Sequence, residues 1–195
     1  MPGGNTINFD PAFFSVRRTI TLLTGEMLIS QSVSILGPAS PLTISGNNLS
    51  RIFNITNVDQ NISVLLKNMK LTAGRTTGGN PGGAIFMWDE LLTMDTVEVV
   101  GNNASGSGGA VFMQAPGGTL YLQSSTFDSN ITPAAGGAIY TAGSSTITAN
   151  FCTFKANRAF AGGAINDSTG GTFEITSSLF YQNVATNSDG GAVFL

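Results

Sequence analysis

Residues 127–139 read Phe-Asp-Ser-Asn-Ile-Thr-Pro-Ala-Ala-Gly-Gly-Ala-Ile, and both halves of this stretch recur along the chain. Its second half, Gly-Gly-Ala followed by a β-branched aliphatic, appears at Gly82-Gly83-Ala84-Ile85, Gly108-Gly109-Ala110-Val111, Gly136-Gly137-Ala138-Ile139, Gly162-Gly163-Ala164-Ile165 and Gly190-Gly191-Ala192-Val193. Successive copies are 26, 28, 26 and 28 residues apart. Its first half, Phe-x-x-Asn, appears at Phe127/Asn130, Phe154/Asn157 and Phe180/Asn183, with Val99/Asn102 and Leu71/Gly74 in the same slots of the two preceding units. Two motifs in phase at a fixed period of this length mean one structural unit stacked on copies of itself.

Aligning the units on the Phe slot exposes further columns. Two residues earlier stand Met69, Val97, Ser125, Cys152 and Ser178. Five earlier stand Leu66, Met94, Leu122, Ala149 and Ile175, and seven earlier Val64, Leu92, Leu120, Ile147 and Phe173. Apolar or small positions alternate with polar ones, the period-two signature of a strand with one buried face. Each unit therefore reads as three short strands: one after Gly-Gly-Ala, one through the minus-seven and minus-five columns, one ending near Phe-x-x-Asn. Gly, Asn, Ser, Thr and Pro separate them, as turns require. A propeller blade needs roughly 40–50 residues, more than this unit holds. The expected fold is all-β: a single-stranded parallel β-helix of about seven coils, right-handed because parallel crossovers overwhelmingly are.

The pattern extends to both ends. Thr19–Leu22, Met27–Ile29, Ser32–Leu36 and Leu42–Ser45 alternate or run apolar between Gly25, Gly37-Pro38 and Gly46-Asn47-Asn48. Residues 1–63 thus read as irregular opening coils and 64–195 as regular ones, within one domain. Hydrophobic content of 42% suffices for a continuous core, whereas charged content is only 10%, which suits columns where each charge would meet its like above and below. The net charge of −3 with scattered basic residues argues against nucleic acid as a partner. No run of 18 apolar residues predicts membrane insertion by this segment. The start, Met1-Pro2-Gly3-Gly4-Asn5, lacks the basic and apolar run of a signal peptide, which points to a mature or excised segment. The end, Gly191–Leu195, falls inside a strand, so further coils or an abutting copy are expected there.

Enzymatic readings find little support. His is absent, and the eleven acidic residues do not cluster, whereas a polysaccharide hydrolase needs paired carboxylates. No phosphate loop, zinc spacing or EF-hand loop is present, so no cofactor and no metal are expected. Cys152 reads as a small core residue. Six Asn-x-Ser/Thr sequons stand at Asn48, Asn54, Asn61, Asn103, Asn130 and Asn166.

The glycine pair reads either as part of a binding face or as a tight corner, where Gly permits positive φ. The Asn column, Asn102, Asn130, Asn157 and Asn183, reads as an inward ladder of amides. The residue after each aliphatic is Phe86, Phe112, Tyr140, Asn166 and Phe194. Alternation places it outward, as an aromatic stripe for sugar rings or a partner, or as a surface covered by a loop or a neighbouring protein.

The opening segments Gly3–Pro11, Thr19–Leu22, Ile35–Pro38, Leu42–Asn48 and Arg51–Phe53 resemble the first coils of secreted bacterial right-handed β-helix surface proteins. The paired Gly-Gly-Ala-Ile and Phe-x-x-Asn repeats resemble the polymorphic outer membrane protein repeats. That resemblance implies an adhesin or autotransporter passenger, extracellular or at the cell surface, with a host surface protein or glycan as partner. It also implies that both tetrapeptides, at Gly82–Ile85, Gly108–Val111, Gly136–Ile139, Gly162–Ile165, Gly190–Val193 and the three Phe/Asn pairs, are tied to adhesion. The C-terminal membrane barrel of that family is missing, and the chain looks truncated before the opening coils. The alternative is a structural subunit of a filament built by head-to-tail self-association. A polysaccharide-active enzyme ranks below both.

Overall fold

The computed structural model describes residues 4–187 and 189–195; Met1, Pro2 and Gly3, at the start read above as that of a mature or excised segment, lie outside them. Seven coils follow one another. The first holds β1 (Asn5–Asn8), β2 (Arg18–Thr21) and β3 (Met27–Ile29); the second holds β4 (Val33–Leu36), β5 (Leu42–Ser45) and β6 (Phe53–Ile55). The third has the long β7 (Ser63–Thr72) and β8 (Ile85–Met87), the fourth β9 (Leu91–Val100) and β10 (Val111–Met113). The fifth has β11 (Thr119–Gln123), β12 (Thr126–Asp128) and β13 (Ile139–Thr141). The sixth has β14 (Thr146–Asn150), β15 (Thr153–Lys155), β16 (Arg158–Ala159) and β17 (Ile165–Asp167). The seventh has β18 (Thr172–Thr176), β19 (Leu179–Tyr181), β20 (Val184–Ala185) and β21 (Val193–Phe194). No helix occurs among the described residues.

Each strand pairs in parallel with its equivalent one coil away. One sheet runs β1-β4-β7-β9-β11-β14-β18, flanked by β2-β5-β7 and β9-β12-β15-β19; another runs β3-β6-β8-β10-β13-β17-β21. This is a parallel β-solenoid of about seven turns. The minus-seven column pairs as Val64–Leu92–Leu120–Ile147–Phe173 and the minus-five column as Leu66–Met94–Leu122–Ala149–Ile175. The period of two sends these side chains inward, where one hydrophobic cluster runs without interruption from Ile29 to Ile165. Their strand neighbours face out, many of them threonines, as in the column Thr119–Thr146–Thr172.

The three-strand unit differs from expectation in two details. In the third and fourth coils the second and third strands run together as β7 and β9, across a single left-handed residue that the pairing register skips. That residue is Asn68 (φ 52°) or Thr96 (φ 58°), and its equivalents are Ser124, Phe151 and Ser177. A second left-handed corner follows the Phe column at Ala73, Gly101, Ser129, Ala156 and Gln182. A non-glycine residue held there costs about 1–2 kcal/mol, offset by ladders on both sides. A short fourth ladder also appears beyond the Asn column, in the bridges Arg75–Asn103–Ile131–Arg158 and the β16–β20 pair. The Asn side chains fix the backbone there, so the next residue stays extended and pairs.

Candidate functional site

The Phe-x-x-Asn motif points into the solenoid. Phe127 and Phe154 are fully buried, and the Phe127, Phe154 and Phe180 rings stack in one row with centroids 5.1 and 4.6 Å apart and near-parallel planes. Such pairs add about 0.5–1.5 kcal/mol each beyond their buried area. Ser129 turns left-handed between Phe127 and Asn130 and so swings the asparagine back over the core.

The four asparagines form a continuous ladder. Asn102 Nδ2 donates to Asn130 Oδ1 (3.0 Å), Asn130 Nδ2 to Asn157 Oδ1 (3.0 Å) and Asn157 Nδ2 to Asn183 Oδ1 (2.9 Å). Each Oδ1 also accepts a backbone N–H from the preceding coil, those of Gly74, Asn102, Asn130 and Asn157 in turn. Each Nδ2 spends its second proton on a backbone carbonyl, those of Leu71, Val99, Phe127 and Phe154. The side chains thus satisfy turn backbone that faces the core and would otherwise be unpaired. Asn130 and Asn166 are buried, so two of the six sequons are inaccessible in the folded chain.

The Gly-Gly-Ala motif closes a neck. After each Asn the chain leaves the solenoid in an excursion and returns through the two glycines. At Gly136 (φ 70°) a Cβ would collide with the Ile139 carbonyl. At Gly137 it would collide with the Gly163 carbonyl and lie 2.7 Å from Arg158 N. The second glycines therefore stack in direct backbone contact, and each return leg lies against the outgoing leg of the next coil. Ala84, Ala110, Ala138 and Ala164, and the aliphatic after each, are fully buried.

The stripe after the motif lies on the outer side of the β8-β10-β13-β17-β21 sheet. Phe86 and Phe112 stack at 5.8 Å, and Phe112 and Tyr140 at 5.4 Å. It is not uniformly open: Phe86 and Tyr140 are half-buried, Phe112 and Asn166 are buried, and Phe194 is exposed. Glycine backbone crowds it from the side, since a Cβ on Gly108 would lie 3.1 Å from the Phe112 Cβ. At one end the Arg51 guanidinium lies 5.2 Å over the Phe86 ring and forms an ion pair with Glu26 (2.6 Å), while Trp88 beside Phe86 is exposed. Burial lowers the Arg51 pKa, an effect that Glu26 partly offsets.

Two buried carboxylates escaped the sequence pattern. Glu90 accepts the backbone N–H groups of Asn57 and Trp88, both at 2.8 Å, and its burial raises its pKa above the usual carboxylate range. Asp167 shares a column with Met113 and Thr141. Burial would raise its pKa, but hydrogen bonds from Thr141, Gly171 and Thr169 outweigh that and hold it low. Both act as turn caps. The Asp-x-Thr spacing of an Asx turn was the available signal at Asp167. Cys152 is buried, its thiol pushed up by burial, with Sγ 3.4 Å from the Asn150 carbonyl. Among the described residues no three His, Cys, Asp or Glu side chains converge on a metal-sized site.

The family model of the Chlamydia polymorphic membrane protein repeat matches residues 124–142. That segment runs from the left-handed Ser124 through Phe127, Asn130 and the glycine neck to β13, most of one coil. No curated protein and no solved structure matches the chain.

Proposed function

We propose that this chain is a non-catalytic β-solenoid of adhesin or autotransporter-passenger type, extracellular or at the cell surface, that offers its outer faces to a host surface protein or glycan. The observation that carries this reading is the repeat match at residues 124–142. It spans both tetrapeptides, and both recur in phase through the stacked coils. The buried geometry divides the labour: the Phe, Asn and Gly side chains and backbones build the coil, and the outward columns and excursions are what a partner meets. The most deeply buried carboxylates, Glu90 and Asp167, are spent on backbone donors, which supports a scaffold over a catalyst.

The test is saturable binding of the fluorescently labelled chain to cultured epithelial cells, read by flow cytometry and competed by unlabelled chain. Specific, competable binding is expected. Absence of competable binding, together with long rods of uniform width by electron microscopy, would replace this reading with that of a structural filament subunit. Turnover of a polysaccharide by the purified chain would overturn the non-catalytic assignment.

A further inference from the structure

One corner of the solenoid breaks the repeat. At the corner between β11 and β12 and its equivalents, the third to seventh coils turn with one left-handed residue, whereas the first coil inserts residues 9–17 between β1 and β2 and the second inserts 37–41 between β4 and β5. The two insertions are tied together: Ser40 Oγ donates to the Ser15 carbonyl (2.8 Å), and Arg18 N to the Pro41 carbonyl (3.2 Å). They overhang the plain corners of the coils that follow. Beneath the overhang lies a half-open groove of about 560 Å³, with Pro38 and Arg17 on its wall and Lys70, Glu98 and Thr126 on its floor. That volume is within the range of small-ligand sites.

The charged register neighbours do not all close into ion pairs. Three lysine–carboxylate pairs are register neighbours on adjacent coils: Lys67/Asp95, Asp128/Lys155 and Lys70/Glu98. The first two close into ion pairs of 2.6 and 3.1 Å. Lys70 and Glu98, at the same ladder spacing of about 4.8 Å, form no ion pair among the described residues. Nor does either side chain, or that of Arg17, make a hydrogen bond there. Two cations and one carboxylate are therefore left without an ion-pair partner in a groove whose remaining lining mixes hydroxyls and one amide, including Thr43, Thr126 and Asn68, with apolar side chains such as Pro38 and Pro41.

We propose that this groove binds a carboxylate-bearing saccharide. Lys70 and Arg17 take the sugar carboxylate through charge-assisted hydrogen bonds; Glu98 and the floor threonines take ring hydroxyls. A phosphate polymer is disfavoured by Glu98, and a neutral sugar leaves both cations unused. The assignment rests on the surface-binding reading above, whose partner class it narrows.

The experiment is saturation-transfer NMR on the full chain with 3′-sialyllactose, glucuronic acid and lactose as probes, followed by titration of variants. Transfer to the protons of an acidic ring is expected, with little response to lactose. Lys70→Ala and Arg17→Ala should each weaken binding about tenfold or more, while Lys67→Ala, the same charge change outside the groove, leaves it unaltered. Thr126→Trp, which fills the groove and removes no charge, should abolish binding while circular dichroism stays that of the parent. Equal response to lactose, no transfer from either acidic sugar, or equal weakening by Lys67→Ala would each overturn the proposal. Cell binding that persists without acidic-sugar binding sinks the groove and leaves the adhesin reading standing. Acidic-sugar binding by a chain that binds no cells does the reverse.

Discussion

Replacing Asn157 by Ala removes one rung from the middle of the buried ladder. Its Oδ1 accepts from Asn130 N and Asn130 Nδ2, both at 3.0 Å, and its Nδ2 donates to the Phe127 carbonyl (3.0 Å) and Asn183 Oδ1 (2.9 Å). After truncation Asn130 Nδ2 keeps the Val99 carbonyl, and Asn183 Oδ1 keeps Asn157 N. The Asn130 N–H keeps nothing and stays buried. Four net hydrogen bonds at about 1 kcal/mol, with the added penalty of an orphaned donor, give a loss of about 3–5 kcal/mol. For a chain of this length that corresponds to about 10 °C in Tm. Asn150, seven residues earlier, accepts only a hydroxyl from Thr176 at the surface, so Asn150→Ala should cost under about 1 kcal/mol. Thermal unfolding followed by circular dichroism measures both. Equal shifts for the two variants would mean that burial within the ladder carries no special weight.

Gly137→Ala should destabilise by about 3 kcal/mol or more, since its Cβ meets the stacked Gly163 carbonyl. Gly170→Ala, at φ 75° in open space, should cost only about 1–2 kcal/mol; denaturant unfolding ranks the two. Cys152 should react with a thiol reagent at pH 8 far more slowly in the folded chain than in the unfolded one, because burial both shields the thiol and raises its pKa. Cys152→Ser should change stability by less than about 1.5 kcal/mol, since Ser125 and Ser178 already occupy the same row and accept the Val97 and Cys152 N–H groups. The Asp167 pKa is lower folded than unfolded, so its stabilisation is complete above the unfolded value near 3.9 and is lost as pH falls through the folded one. Asp167→Asn should therefore show a smaller drop in Tm below about pH 4 than the parent.

What the sequence made legible was whatever repeats. The minus-seven, minus-five and Phe columns, from Val64 to Phe180, are rows of paired residues in the fold, because a parallel ladder with fixed register places like positions over one another. The left-handed corners were hidden. Nothing in Thr96, Ser124 or Phe151 marks positive φ; the conformation is imposed by ladders on either side, against local preference. β1 also went unread as a strand, since all four of its side chains are exposed and carry no apolar rhythm. The stripe was visible as a row, but its burial at Phe112 was not, because the crowding glycines act through backbone proximity. The groove was beyond reach for the opposite reason: it is made where the repeat fails, by two insertions of different length that meet only once the coils are stacked.

Residues about 27 apart lie directly over one another around a buried amide ladder. Side-chain amide NMR tests it: the Nδ2 protons of Asn102, Asn130, Asn157 and Asn183 should show sequential NOEs, each to the next, and exchange far more slowly than that of Asn150. Solvent-rate exchange at Asn130 and Asn157, with no NOE between them, would contradict the stacked-coil account.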